Sequence, residues 1–212
     1  AQGRSRTGFF SYSISGNTWT GSSVSNLATV PGNVGFGAQM IRNSSDDIIY
    51  LARGDVSTGF YRYSISGNTW TTLTVVPENV GIGAQMIRNS SDNTIYLMSG
   101  NYLTGFYSFS ISGISLTSLA VVPGAVFNGA QMIRNGADNT IYLTQGDNTT
   151  GFYSYSISGN TWTTLATVPG NVYAGAQMLR NGTDDNIYLT QGNNNTGFYS
   201  YSISGNTWTT LA

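Results

Sequence analysis

Charged side chains return at a fixed interval in this chain, and they are the first place to look for chemistry. Arg42, Arg88, Arg134 and Arg180 each precede an acid by four residues: Asp46, Asp92, Asp138 and Asp184. A ring of guanidinium groups clamps carboxylates bidentately, acidic sugars among them. The same spacing lets each Arg close its own turn onto the following acid, and repetition along the chain suits that structural role better. Asp46-Asp47 and Asp184-Asp185 present oxygens of the kind Ca²⁺ takes, but without EF-hand spacing, so no metal is assigned. Trp19, Trp70, Trp162 and Trp208 would stack on sugar rings if exposed, or bury a large apolar area if they are core. The core role is the stronger expectation, as it is for Tyr50, Tyr96, Tyr142 and Tyr188.

Catalysis finds little to work with. General acid–base chemistry needs a poised His or carboxylate pair, and the chain has no His and a single Glu, Glu78. Glycoside hydrolysis needs two carboxyls about 5 to 10 Å apart in distinct environments, whereas these acids recur with the segment. Cys is absent too, which removes disulfides and the soft metal ligands. The expectation is a non-enzymatic chain with no catalytic residue, no metal and no cofactor.

Composition narrows the partners. Charged residues make up 8% of the chain, against roughly 25% in ordinary globular proteins. With a net charge of −1 and only Arg as the basic residue, clustered positive charge for nucleic acid is missing. No apolar run approaches the roughly 20 residues that span a bilayer, so membrane insertion is not expected. Ala1 to Thr7 carry Arg4 and Arg6 and lack the pattern of a signal peptide. Asn-x-Ser/Thr triplets at Asn43, Asn89, Asn148, Asn181 and Asn194 are candidate glycosylation sites.

What must position these residues is a repeat. Thr-Gly-Phe begins at Thr7, Thr58, Thr104, Thr150 and Thr196, giving intervals of 51, 46, 46 and 46 residues. About five extra residues near Gly21 to Asn26 lengthen the first. Each unit reads as four short strands rich in aromatic and β-branched residues. In the second unit these are Gly81 to Asn89, Thr94 to Gly100, Gly105 to Ser112 and Ile114 to Leu119. Ser-Gly-Asn-Thr supplies a hairpin turn, and Pro31, Pro77, Pro123 and Pro169 stop the last strand because Pro cannot donate to a ladder. A 46-residue period is the size of a four-stranded propeller blade. The fold class is therefore all-β: a β-propeller of four blades, about 35–74, 81–119, 127–165 and 173–212, in one domain with an N-terminal half-blade hairpin at 8–20.

Tyr63 and Trp70 lie seven residues apart, as do Tyr155 and Trp162, and Tyr201 and Trp208. With the strand Ile187 to Gly192 in the place of the diglycine strand, this resembles the kelch motif. The departures are a single glycine at Gly54, Gly100, Gly146 and Gly192, and Leu116 where other units carry Trp. The whole pattern is similar to kelch-like arrays in large bacterial surface proteins, and the resemblance implies Trp packed between blades. An unpaired hairpin exposes an edge, so self-association or continuation of an array is expected. The leading functional expectation is an extracellular or cell-surface structural or adhesive protein, forming a fibre or array through the half-blade. A lectin-like alternative places glycans at the loops that differ between units, at Asp55, Asn101, Tyr102, Asp147 and Asn193, since rigid scaffolds display binding loops. A further alternative is a protein-interaction scaffold within a larger surface protein.

Overall fold

The computed structural model describes residues 6–21, 27–42, 46–89, 93–134, 139–182 and 184–211, and for Asn89 the backbone alone. Asn43, Asp92 and Asp138 therefore lie outside the described residues, with most of the insertion before Asn26. Every named element is a β-strand. A leading hairpin pairs β1 (Phe10–Ser13) with β2 (Thr18–Gly21). Repeat 1 is the antiparallel sheet β3 (Gln39–Arg42), β4 (Ile48–Ala52), β5 (Phe60–Ser64) and β6 (Thr69–Thr72). Repeat 2 comprises β7 (Gln85–Asn89), β8 (Thr94–Met98), β9 (Phe106–Ser110) and β10 (Ser115–Ser118). Repeat 3 comprises β11 (Gln131–Arg134), β12 (Thr140–Thr144), β13 (Phe152–Ser156) and β14 (Thr161–Thr164). Repeat 4 comprises β15 (Gln177–Arg180), β16 (Asn186–Thr190), β17 (Phe198–Ser202) and β18 (Thr207–Thr210). The chain is thus all-β, with repeated four-stranded antiparallel sheets. It divides into two compact units, Ala1–Ile82 with the hairpin and repeat 1, and Gly83–Ala212 with repeats 2 to 4.

The four strands of the second repeat are all present but shorter than the sequence suggests. The first starts at Gln85 because Gly83 takes a φ of 85° and turns the chain. The fourth strand of repeat 1 closes at Thr72, short of Pro77. Single backbone bonds from Leu73 to Phe60 and from Val76 to Thr58 carry the chain onward. The Val before each Pro is core, since Val30, Val76, Val122 and Val168 are all buried.

The core lies between sheets, not within one. In the second unit, one buried cluster joins Tyr96, Met98 and Phe106 of repeat 2 to Ile141, Leu143 and Tyr155 of repeat 3. Another joins Tyr142 and Phe152 of repeat 3 to Ile187, Leu189 and Tyr201 of repeat 4. The first unit follows the same plan, with Phe9 and Val30 of the hairpin segment against Leu51, Tyr61 and Tyr63. The second strand of a repeat is consequently buried along most of its length, as in β8 and β12, while the fourth strand is mostly exposed. A four-stranded sheet of this kind cannot hide its apolar faces alone, which is the energetic logic of repeat proteins.

Two glycines isolate the close approach of one repeat to the next. Gly129 has a φ of 89°, and a Cβ there would stand 2.1 Å from the Tyr173 carbonyl oxygen of repeat 4. Gly175, its counterpart in repeat 4, has a φ of 84° and nothing within 4 Å. Left-handed backbone costs an L side chain about 1–2 kcal/mol, and forced overpacking about 1–3 kcal/mol more. Gly129→Ala is therefore expected to destabilise by about 3 kcal/mol or more, and Gly175→Ala by only about 1 kcal/mol. Guanidinium titration of the two variants side by side measures the difference.

Candidate functional site

The side chains that recur once per repeat converge on one arrangement. Tyr and Trp seven residues apart are direct cross-strand partners over a four-residue turn: Tyr12 opposite Trp19, Tyr63 opposite Trp70, Tyr155 opposite Trp162, Tyr201 opposite Trp208. Onto each internal pair comes a Phe from the preceding segment. Phe9 meets Tyr63 and Trp70 edge-on at 4.8 and 5.1 Å, Phe106 meets Tyr155 and Trp162 at 4.9 and 5.1 Å, and Phe152 meets Tyr201 and Trp208 at 4.8 and 5.0 Å. Edge-to-face geometry sets the positive ring edge against the negative face.

A polar clamp surrounds each aromatic trio. The Asn in the turn takes left-handed backbone, with φ of 47–48° at Asn68, Asn160 and Asn206. Its Oδ1 accepts the Tyr hydroxyl at 2.9 Å in all three repeats. The same oxygen accepts the backbone N–H of Ala28, Ala120 or Ala166 in the preceding segment, and the Trp Nε1 donates to that alanine's carbonyl at 2.9–3.1 Å. Burial pushes the Tyr155 and Tyr201 phenols up to about 12, so both remain neutral donors. Repeat 2 replaces the set together, with Phe109, Ile114 and Leu116, and Ile114 holds the turn at a φ of 46°.

The repeating charges serve turns. Arg42 and Arg180 donate from Nε to the backbone carbonyls of Asp46 and Asp184, each at 3.0 Å. Arg134 lies over the Tyr96 ring at 5.7 Å. Asp47 accepts from the Ser64 and Ser66 hydroxyls and the Ser66 N–H, and Asp185 does the same with Ser202 and Ser204. Among the described residues no cluster of three or more acids gathers as a metal cage.

The loops after the second strand form one family of turns. Asp55-Val56, Asn101-Tyr102, Asp147-Asn148 and Asn193-Asn194 all have positive φ, between 53° and 63°. Consecutive left-handed residues define a type I′ turn, which Asn and Asp tolerate and a β-branched Val does not favour. The Asp and Asn there answer a backbone demand as well as any ligand. In the second unit the turn of repeat 2 meets that of repeat 3. Tyr102, 56% exposed, stacks on Phe127 with centroids 3.9 Å apart. Partial desolvation, then the neighbouring Asp147 carboxylate and Tyr173, raise the Tyr102 phenol above its ordinary 10.0. Asn193 belongs to the next turn, its N–H bonded to the Ala174 carbonyl. Asp55 makes the equivalent bond to Phe36 in the first unit. Asn148, Asn181 and Asn194 are exposed.

For two residue types sequence reasoning read the local role but missed the part they play between segments. The Phe beginning the third strand and the Asn of the turn carry the contacts from repeat to repeat, and their recurrence at Phe9, Phe106, Phe152 and at Asn68, Asn160, Asn206 was the available signal. Among the described residues, the leading hairpin forms a two-stranded sheet of its own. Beside it an open, mainly apolar cavity of about 250 Å³ is lined by Phe9, Leu27, Arg42, Ile49, Tyr63 and Ile65.

No family model matches the chain, and no curated protein matches it. Solved structures do. One, described as the structure of YjhT, aligns with a TM-score of 0.62 at 15% identity, over 84% of this chain and 65% of that one. This chain thus spans just under two thirds of that protein's length. At such identity the likeness concerns the fold alone, and it supports a β-propeller-like, all-β repeat architecture.

The Ser–Asp clamps make repeats 1 and 4 acid-sensitive. Hydrogen bonds from Ser66 to Asp47, and from Ser204 and Ser202 to Asp185, hold both carboxyls below the usual 3.8. A depressed folded value means the stabilisation is complete above the unfolded value of about 4 and is lost as pH falls through the folded one. Thermal midpoints recorded from pH 5 down to about pH 2 should therefore fall less in an Asp47→Asn/Asp185→Asn variant than in the parent chain.

Proposed function

We propose that this chain is a non-enzymatic structural or adhesive repeat protein, acting outside the cell or at its surface. In this reading its propeller-like, kelch-type units associate into a larger array or fibre through the unmatched leading hairpin. One observation carries it: the recurring Phe, Tyr, Trp and Asn side chains hold segment to segment, and at the hairpin the same Tyr–Trp pair faces outward. Low charge, absence of His and exposed sequon asparagines at Asn148, Asn181 and Asn194 support the extracellular, non-catalytic part. Electron microscopy of the purified protein across concentration and salt tests it. Rings, chains or filaments are expected, and uniformly monomeric particles would contradict it.

A lectin-like second reading draws on the Tyr102 cluster. An exposed aromatic ring beside Asp147 offers a stacking surface and an acceptor for sugar hydroxyls. On a glycan array, saturable binding that Tyr102→Ala weakens about tenfold or more would favour this reading. Binding indifferent to that substitution would remove it.

A further inference from the structure

The contact that joins one segment to the next is left half-made at two places in this chain, and the halves are complementary. Within the first unit, Phe9 is buried by Tyr63 and Trp70. Within the second, Phe106 and Phe152 are buried by the Tyr–Trp pairs of the repeats that follow. Phe9, Phe106 and Phe152 are at most 3% exposed, and Tyr63, Tyr155 and Tyr201 at most 2%. Phe198 holds the position of these phenylalanines in repeat 4, yet it is 36% exposed. Tyr12 and Trp19 hold the position of the receiving pair, cross-strand partners with centroids 5.0 Å apart, and are 44% and 68% exposed. The surface of repeat 4 around Phe198 is bare as well, with Leu179 exposed and Gly175 facing open space.

We propose that a second copy of this chain is the occupant: Phe198 of one copy packs on the Tyr12–Trp19 pair of the next, reproducing the Phe9, Phe106 and Phe152 contacts between molecules. The inference rests on the self-associating reading above and names its surfaces. A second copy placed this way continues an interface the chain already builds three times. The receiving hairpin also matches in sequence. Ser11 to Trp19 reads SYSISGNTW, identical to Ser154 to Trp162 and Ser200 to Trp208, both of which accept a Phe. The turn is pre-set too, because Asn17 has a φ of 48° and accepts the Tyr12 hydroxyl, as the clamping asparagines do.

The mode of contact is face to face. Among the described residues, every strand outside the leading hairpin already belongs to a four-stranded sheet, so no copy has a spare inner pair to lend. The hairpin covers only the outer part of repeat 4, leaving the surface near Gly175 open. Contacts below the 1,200 Å² or so of a stable complex are weak, and association through a single hairpin is expected to depend on concentration. Because donor and acceptor surfaces differ, the association is heterologous and yields rings or open chains.

Sedimentation velocity from about 10 μM to about 1 mM tests it on the 212-residue chain, on Phe198→Ala and on Trp19→Ala. The parent chain is expected to form concentration-dependent multimers, and each variant to weaken association about tenfold or more. An equimolar mixture of the two variants should form a dimer and stop there, since one keeps only the Phe198 surface and the other only the Tyr12–Trp19 surface. That recovery would also show that both variants are folded. If Phe198→Ala associates like the parent chain, the inference falls while the self-associating reading stands on another surface. If both variants are monomeric and their mixture stays monomeric, the inference falls as well. A parent chain that is monomeric throughout overturns inference and reading together.

Discussion

Three times in this protein a phenylalanine just after a Thr-Gly pair, Phe9, Phe106 or Phe152, is covered by the Tyr–Trp pair of the repeat that follows it. An edge-to-face aromatic contact adds about 0.5–1.5 kcal/mol to the area it buries, and here one ring meets two. The clamp of Asn, Trp Nε1 and an alanine backbone locks the same junction with directional bonds. Its hydrogen bonds lie beside buried aromatic area, where an unmade bond is costly. Within each compact unit the apolar cores therefore sit at the junctions between successive segments.

Much of the composition follows from that constraint. Repeat-to-repeat contacts consume aromatic and β-branched residues, while Ser, Thr, Asn and Gly make turns and clamps, which leaves little call for charge. The few acids that recur are drawn into turn closure. Asp47 and Asp185 bind serine hydroxyls, and Asn139 fills that place in repeat 3, bonding Ser158. An amide does there what a carboxylate does elsewhere, which marks the position as a hydrogen-bonding one in which charge is incidental. Repeat 2 shows the reverse dependence: once the turn Asn becomes Ile114 and the Trp becomes Leu116, the partner tyrosine is Phe109 and has no hydroxyl left to satisfy. The three positions change as one physical unit.

The period, the four strands and the turn residues were legible because each is a local property. Thr-Gly-Phe marks the start of a strand, Asn sits where φ must be positive, and Gly54, Gly146 and Gly192 survive because a Cβ would meet backbone atoms at about 2.5 Å. The neighbouring position, Arg53, Ser99, Gln145 or Gln191, has no such restriction, which explains the single glycine where the kelch pattern has two. Burial was less legible, because it belongs to a residue and its neighbour together. Trp19 and Trp70 hold the same position in two equivalent hairpins, and both were expected in the core, yet Trp19 is largely exposed for want of a covering Phe while Trp70 is half-buried. Tyr102 in a left-handed turn and the Tyr102–Phe127 stack were likewise outside the reach of strand patterning, since they depend on how two successive turns meet.

A propeller-like scaffold by itself selects no function, so the functional reading leans on which contacts are complete and which are open. Complete ones hold successive segments together, and in the proposed reading open ones are the surfaces on which a larger assembly grows. Both depend on the Phe contact contributing energy of its own. A double-mutant cycle between Phe152→Ala and Trp208→Ala, read by chemical denaturation, measures that energy directly. A coupling of about 1 kcal/mol is expected from the paired rings. Strictly additive losses would mean that the two side chains are merely adjacent, and would contradict the account.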